Sequence, residues 1–283
     1  MSVTAPRSLV LNTLIDVLPD DRVVTRERDH LIVRSPSNPG HWEGNMLLYD
    51  DAPAPGDRER WEGEFAAAFA DEPAVRHRTF HWDRVDGEEG AAVTEFAARG
   101  YRLERDVGLI ASPEAIVPHP KASRGVQIRA LDPAPGRDEE LWEGAIAVSL
   151  ANNAEDPSPD PDFEGFLRAR QRERRTMFSA GRGAWYVALD SIDGVVVACC
   201  GVIATGERGR FQAVDTAPSH RRRGIARRLV HDVAVDAAPR FGLTRFVIVA
   251  DAEYHALGIY ESLGFQRRER LCSAWLAPAG VGS

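Results

Sequence analysis

The sequence predicts a mixed α/β protein, an α+β mixed sheet with helices packed on it, built as two related lobes. Three observations lead there. Strand-like and helix-like segments alternate from residue 126 to residue 276. A passage of helix end, glycine and aromatic occurs twice, as Phe96-Ala97-Ala98-Arg99-Gly100-Tyr101 and as Tyr260-Glu261-Ser262-Leu263-Gly264-Phe265, an offset of 164 (260 − 96). A proline- and glycine-containing stretch, Pro113 to Gly125, lies between the copies and reads as a linker. With 283 residues, 43% of them apolar, the chain can fill two cores.

The first lobe is assigned to residues 1–122. Met1 to Pro19 reads as an amphipathic helix, because Asn12 and Asp16 interrupt what would be the apolar stretch of a signal peptide. The 164-residue offset places Gly44 to Tyr49 on a strand and Asp57 to Ala70 on a helix. Trp42, Trp61 and Trp82 are expected in a core rather than at a ligand.

The second lobe is assigned to residues 123–283. Val126 to Leu131 alternates as a strand; Asp138 to Ala151 and the strongly basic Phe163 to Ala180 have helical spacing. Between these helices, Asn152 to Asp162 is rich in Asp and Pro and reads as a loop. Ala184 to Leu189 and Val195 to Ala204 form a hairpin turned at Ser191 to Gly194. A strand over Arg210 to Thr216 runs into the turn at Pro218, and a helix follows from Gly224 to Ala238. Phe246 to Ala250 is a strand, Tyr254 to Leu263 a helix ending on Gly264, and Arg270 to Leu276 a last strand.

The turn carries the chemistry. In Val214-Asp215-Thr216-Ala217-Pro218-Ser219-His220-Arg221-Arg222-Arg223-Gly224-Ile225-Ala226, Pro218 ends the strand because it cannot donate to a ladder. The N–H groups that follow sit at a helix N-terminus, without intrahelical partners and at the positive end of the dipole. Gly224 and Ala226 are small enough for a ligand to approach the backbone, and the arginines add charge. A pyrophosphate suits such a site. The Lys-Ser/Thr pair of a nucleoside triphosphatase loop and the three-glycine dinucleotide fingerprint are both missing. A solvated basic face is the plain alternative, but it leaves unexplained why proline, glycine and a small residue fall together with the arginines.

Arg221, Gly224 and Ala226 after Pro218, followed about 34 residues on by the block Asp251 to Phe265 with its Ala256, Tyr260 and Leu263-Gly264-Phe265, resemble the GNAT superfamily of N-acetyltransferases. The resemblance extends over Val126 to Leu276. It implies a tandem GNAT-like architecture, with acetyl-CoA as cofactor. It also implies that Arg221, Arg222, Arg223, Gly224, Ile225 and Ala226 hold the pyrophosphate, and that the backbone of Val214, Asp215 and Thr216 binds the pantetheine arm where two strands splay apart. Tyr260 matches the tyrosine that protonates the leaving thiolate in many members. The chain departs from the family at Glu253, where many relatives have an asparagine touching the cofactor. Asp215, Glu253 and Asp251 are the candidate general bases, with a water chain as the alternative. His220 and His255 read as solvated or capping. Because the family's first interhelical loop often borders the acceptor, Glu155, Asp156, Asp160, Asp162 and Glu164 would attract a cationic amine.

Composition narrows the rest. Net charge is −8, which opposes a nucleic-acid binder built on Arg221 to Arg228. No apolar run approaches the roughly 20 residues of a membrane span. Cys199, Cys200 and Cys272 make neither a disulfide framework nor a metal spacing, and no histidine is evident beside them to support a thiol acyl intermediate. A cytoplasmic compartment is expected, with no metal, and oligomeric state is left open. In the first lobe the offset maps Gly224 onto Arg60 and Ala226 onto Glu62, beside the acidic, proline-rich Asp51 to Asp57. That lobe is therefore expected to have lost cofactor binding. The expected activity is acetyl transfer to an amine by direct attack in a ternary complex, and a silent acyl-CoA sensor is the alternative.

Overall fold

The computed structural model describes residues 5–155 and 162–278. In chain order the elements are α1 (Leu9–Asp16), β1 (Val23–Arg26), β2 (His30–Arg34), β3 (Met46–Tyr49), α2 (Asp57–Ala68), β4 (Arg78–Trp82), α3 (Val93–Ala98) and β5 (Arg102–Ala111). Then come β6 (Val126–Ala130), α4 (Glu139–Asn153), α5 (Phe163–Ser179), β7 (Gly183–Asp190), β8 (Val196–Thr205) and β9 (Arg208–Thr216). The chain continues through α6 (Ile225–Phe241), β10 (Arg245–Asp251), α7 (Ala256–Glu261) and β11 (Gln266–Leu276). No helix among the described residues is long and apolar enough to cross a membrane.

These elements gather into two compact units that are not contiguous halves. The first comprises residues 1–108, 250–253 and 268–283, and the second residues 109–249 and 254–267. The expected linear division at residue 122 differs at both ends of the second lobe. Pro113 to Gly125 is no loose spacer, since Ile116 is buried, the Val117 N–H donates to Leu263 O at 3.0 Å and the Ser123 N–H to Gly224 O at 3.1 Å. Most of β11 belongs with the first unit.

In the first unit the strand order is β1-β2-β3-β4-β11-β5. β3 and β4 pair in parallel, Leu47 opposite Phe80, and β11 runs antiparallel to β4 with Ser273 opposite His81. Tyr49, Trp61, Phe65, Phe80, Trp82 and Phe96 form an aromatic core, and β11 contributes Cys272 and Ala274 to it. Tyr49 and Trp61 stack at 3.7 Å between centroids. Trp61 and Trp82 are thus core residues as expected; Trp42 is half-buried, stacked on His77 at 5.5 Å and tilted against Trp275 at 4.7 Å. On α1, the Glu269 carboxylate of β11 accepts from the Ser8 hydroxyl and from the Leu9 and Val10 N–H groups, at 2.6, 2.9 and 3.1 Å. It fills the anion position of a helix N-terminus.

In the second unit the order is β10-β9-β8-β7-β6. β6 to β9 are successive antiparallel neighbours, and β10 returns parallel to β9 after the α6 crossover. The run Val196 to Ile203 is buried throughout, as befits a central strand covered on both faces. On α6, Leu229, Val230, Val233, Ala234 and Ala237 recur at helical spacing and are all buried. The helix extends past Pro239 to a left-handed Gly242 cap, three residues beyond the expected end at Ala238.

The repeat is present as an order of elements: β3-α2-β4-α3-β5 follows the same sequence as β9-α6-β10-α7-β11. The single gapless offset does not hold through it. Gly100 and Gly264 both have positive φ (93° and 104°) and keep the 164 spacing, but the left-handed N-cap glycines are Gly56 (φ 87°) and Gly224 (φ 76°), 168 apart (224 − 56). β9 extends further before its turn than β3 does. Arg60 therefore does not stand where Gly224 stands.

Candidate functional site

The site begins where a sheet stops pairing. β9 and β10 are in register over Arg208 to Arg210, opposite Arg245 to Val247, and no further. The β8–β9 register shifts between Cys199 and Gly201, where Ala213 takes a φ of 44°. This bulge bends β9 as it leaves its parallel neighbour. Val214, Asp215 and Thr216 lie beyond that point, half-buried, on an edge that β10 does not satisfy. Backbone groups in that position need partners, and an amide-rich chain supplies them.

β9 leads into a single helical turn at Pro218–His220 and then into α6. Arg222 sits at φ 62° and Gly224 at φ 76°. The first intrahelical donor is Arg228 N–H, to Gly224 O at 3.2 Å, so the N–H groups of Ile225, Ala226 and Arg227 face the N-terminus without an intrahelical partner. Gly224 is needed for a reason other than ligand approach: a Cβ there would lie 1.9 Å from Lys121 O. The residues 121–123 strap occupies that side of the turn.

The arginines divide by what they touch. Arg221 donates to Glu155 at 2.7 Å and to Asn152 at 2.8 Å, tying the turn to the end of α4. Arg227 bonds Ser262 at 3.0 Å, and Arg228 pairs with Asp232 one turn along. Arg222 and Arg223 are exposed, and neither has a side-chain partner among the described residues. A polyanion at this turn would meet those two charges first.

Tyr260 on α7 is 5% exposed. Burial, with the nearby Cys200 and Asp215 adding to it, pushes its phenol well above the usual tyrosine range. The hydroxyl has no hydrogen-bond partner among the described residues. Asp215 accepts from the Ser149 hydroxyl of α4 at 2.6 Å. Of the three candidate bases, Asp215 shares the second unit with Tyr260 and the turn. Asp251 and Glu253 are exposed, fall in the first unit, and are joined by the Glu253 N–H donating to Asp251 at 2.8 Å. Burial pushes both the Cys199 and Cys200 thiols up, so neither is a ready nucleophile.

Other expected residues lie apart from this arrangement. His255 is exposed beside Tyr254, and His220 lies 3.7 Å from Asp190. Glu164 pairs with Arg168, and Glu155 with Arg221. Asp156 and Asp160 lie outside the described residues, and Asp162 lies at the start of α5. Sequence reasoning passed over Ser149 and Arg174. The helical spacing of α4 was the only signal that Ser149 faces inward, and α5 read as a strongly basic helix with no arginine set apart from the others.

The family model for the GNAT acetyltransferases matches residues 149–265. Residues 149–265 are a GNAT acetyltransferase domain. The match opens at Ser149 on α4 and closes at Phe265, immediately before β11. Among solved structures, a conserved protein of unknown function from Staphylococcus epidermidis is 12% identical with a TM-score of 0.67, covering 93% of this chain and 96% of its own. A GCN5-related N-acetyltransferase from Kribbella flavida is 16% identical, with a TM-score of 0.59 and 97% of each chain covered. A tandem GNAT protein of clavulanic acid biosynthesis is 16% identical, with a TM-score of 0.54, over 99% of this chain and 92% of that one. At these identities the likeness is one of fold. No curated protein sequence matches.

The GNAT domain's own residues fit acetyl-CoA: an unsatisfied strand edge for the arm, and a helix N-terminus with two free arginines for the pyrophosphate. The corresponding turn of the first unit is closed by its own carboxylates. Asp57 accepts from the Ala54 N–H at 2.8 Å, Asp51 from Ala52 at 2.9 Å, and Glu95 from Gly56 at 3.3 Å.

Proposed function

We propose that the GNAT domain transfers acetyl from acetyl-CoA to a primary amine by direct attack in a ternary complex. The observation that carries this reading is the release of β9 from β10 after Arg210, which leads an unpaired edge straight into the α6 N-terminus. Val214, Asp215 and Thr216 bind the arm through their backbone. Ile225 and Ala226 offer N–H groups to the pyrophosphate, flanked by Arg222 and Arg223, while Arg221 orders the turn through Asn152 and Glu155. Bound acetyl-CoA supplies an activated acyl group and a thiolate leaving group. Tyr260, held neutral, donates its free hydroxyl proton to that thiolate. Asp215, oriented by Ser149, takes the proton of the attacking amine. The first unit, its turn filled by Asp51, Asp57 and Glu95, binds no second cofactor.

Thermal melting with acetyl-CoA tests the reading. At about 100 times its dissociation constant a ligand adds roughly 2.7 kcal/mol, a shift of several degrees. The companion variant is Arg222→Glu with Arg223→Glu, both on exposed side chains. A shift in the wild type that collapses in this variant supports the assignment; an equal shift in both places the cofactor elsewhere.

A further inference from the structure

Beside Asp215 the second unit has a narrow recess between α4, α5 and β7. Trp142, Ser149, Gln171, Arg174 and Trp185 line it together with aliphatic side chains of α4. Two of its donors are unmatched. Trp185 is 4% exposed and its Nε1 is buried without a hydrogen-bond partner; the Nε of half-buried Arg174 is buried in the same condition. Arg174 makes no ion pair or hydrogen bond among the described residues. Of the other arginines on α5, Arg168 pairs with Glu143 and Glu164, Arg170 with Glu173 and Arg175 with Glu139, while Arg172 is exposed to solvent. The guanidinium instead lies over the Trp185 ring, 4.4 Å from its centroid, and Trp142 stacks on Trp185 at 6.4 Å.

Buried donors without acceptors are destabilising, so two on one recess make a site that an acceptor-only group would complete. A guanidinium held over an indole keeps its planar set of N–H donors, which suits a planar acceptor such as a carboxylate. Charge agrees. Burial and the Arg170 charge lower the Arg174 pKa to about 9, although Glu173, Cys199 and Asp215 act the other way. Ser149 joins the recess to Asp215, so an amine directed at Asp215 would belong to a molecule whose acidic end lies at Arg174.

We propose that the acceptor amine carries a carboxylate, bound in this recess by Arg174 and Trp185, so that the substrate class is that of amino acids rather than simple polyamines. This rests on the acetyl-transfer reading for the amine end only.

The test is coenzyme A release at pH 8 with glycine, β-alanine and γ-aminobutyrate, each against its primary amide. The α-amino amide carries more free base at this pH, so chemistry alone does not favour the acid. Wild type is expected to favour acids by about tenfold or more in kcat/KM, and Arg174→Met to reduce that ratio to about one. Arg174→Lys should retain part of it. An unchanged acetyl-CoA melting shift in both variants shows that they fold. Amides used as well as acids by wild type, or a preference that survives Arg174→Met, overturns the proposal. A second readout is indole fluorescence on titrating N-acetyl-β-alanine against its amide. Acid-selective quenching that Arg174→Met abolishes, without any acetyl-CoA shift or turnover, keeps the carboxylate site and removes the acetyl-transfer reading. Absence of both selective turnover and selective quenching overturns the site itself.

Discussion

Burial keeps the Tyr260 phenol protonated well past the pH at which a free tyrosine ionises, and that decides what its removal should do. Tyr260→Phe is expected to lower kcat by on the order of 10²-fold while leaving the acetyl-CoA melting shift intact. A fall in binding with kcat preserved would make it a packing residue. The kcat–pH profile should show no loss from this group below pH 10. A second residue-scale prediction concerns Glu104 in the first unit. Burial, with Glu43 and Asp106 nearby, raises its pKa from the usual 4.5 to about 7. Because the folded value is raised, its contribution to stability is full below about pH 4.5 and is lost as pH rises through about 7. Glu104→Gln, which can still accept a hydrogen bond, should therefore raise the melting temperature at pH 8 by a few degrees and change it little at pH 5. Equal shifts at both values would show that charge is not the cause.

At the scale of elements, the most constrained junction is the strap over the turn. Gly224 and Gly264 both have positive φ, and an added Cβ would come within 1.9 Å of Lys121 O and 2.0 Å of Ala115 O respectively. Gly224→Ala and Gly264→Ala should each cost at least about 1–3 kcal/mol, read as a drop in the urea midpoint of the cofactor-free protein. Midpoints within error of the wild type would mean that the strap moves aside freely. This is also where legibility in the sequence ends. Leu141 to Leu150 carries a helical period and Ala184 to Leu189 is an unbroken apolar run, so α4 and β7 fall within a few residues of their expected bounds. The glycine of the turn was visible, but its reason was not, because the residues that crowd it lie a hundred positions upstream. The Ala213 bulge exists only relative to β8, and Arg174 is one arginine among several until α5 packs on α4 and β7. The 164 offset found the duplicated order of elements yet misplaced Gly56, since alignment by one constant spacing cannot register a longer strand.

At the scale of the molecule, the units interleave along the chain. β11 supplies Cys272 and Ala274 to the first unit's aromatic core, pairs with β4, and caps α1 through Glu269. Ending the chain at residue 267 should therefore unfold the first unit: loss of near-ultraviolet tryptophan signal and rapid proteolysis within residues 5–108 are the expected readouts. A truncated protein whose first unit stays resistant would show that β11 only decorates it. The pattern match that stops at Phe265 follows the same seam.

That seam also sets a schedule for synthesis. Chains emerging from a ribosome ordinarily complete their domains from the N-terminus onward. Here the unit that begins first finishes last, because β4 and the α1 N-terminus wait for residues 268–276. At about 5–20 residues per second the wait is on the order of ten seconds, during which the β4 edge that pairs with β11 is left open.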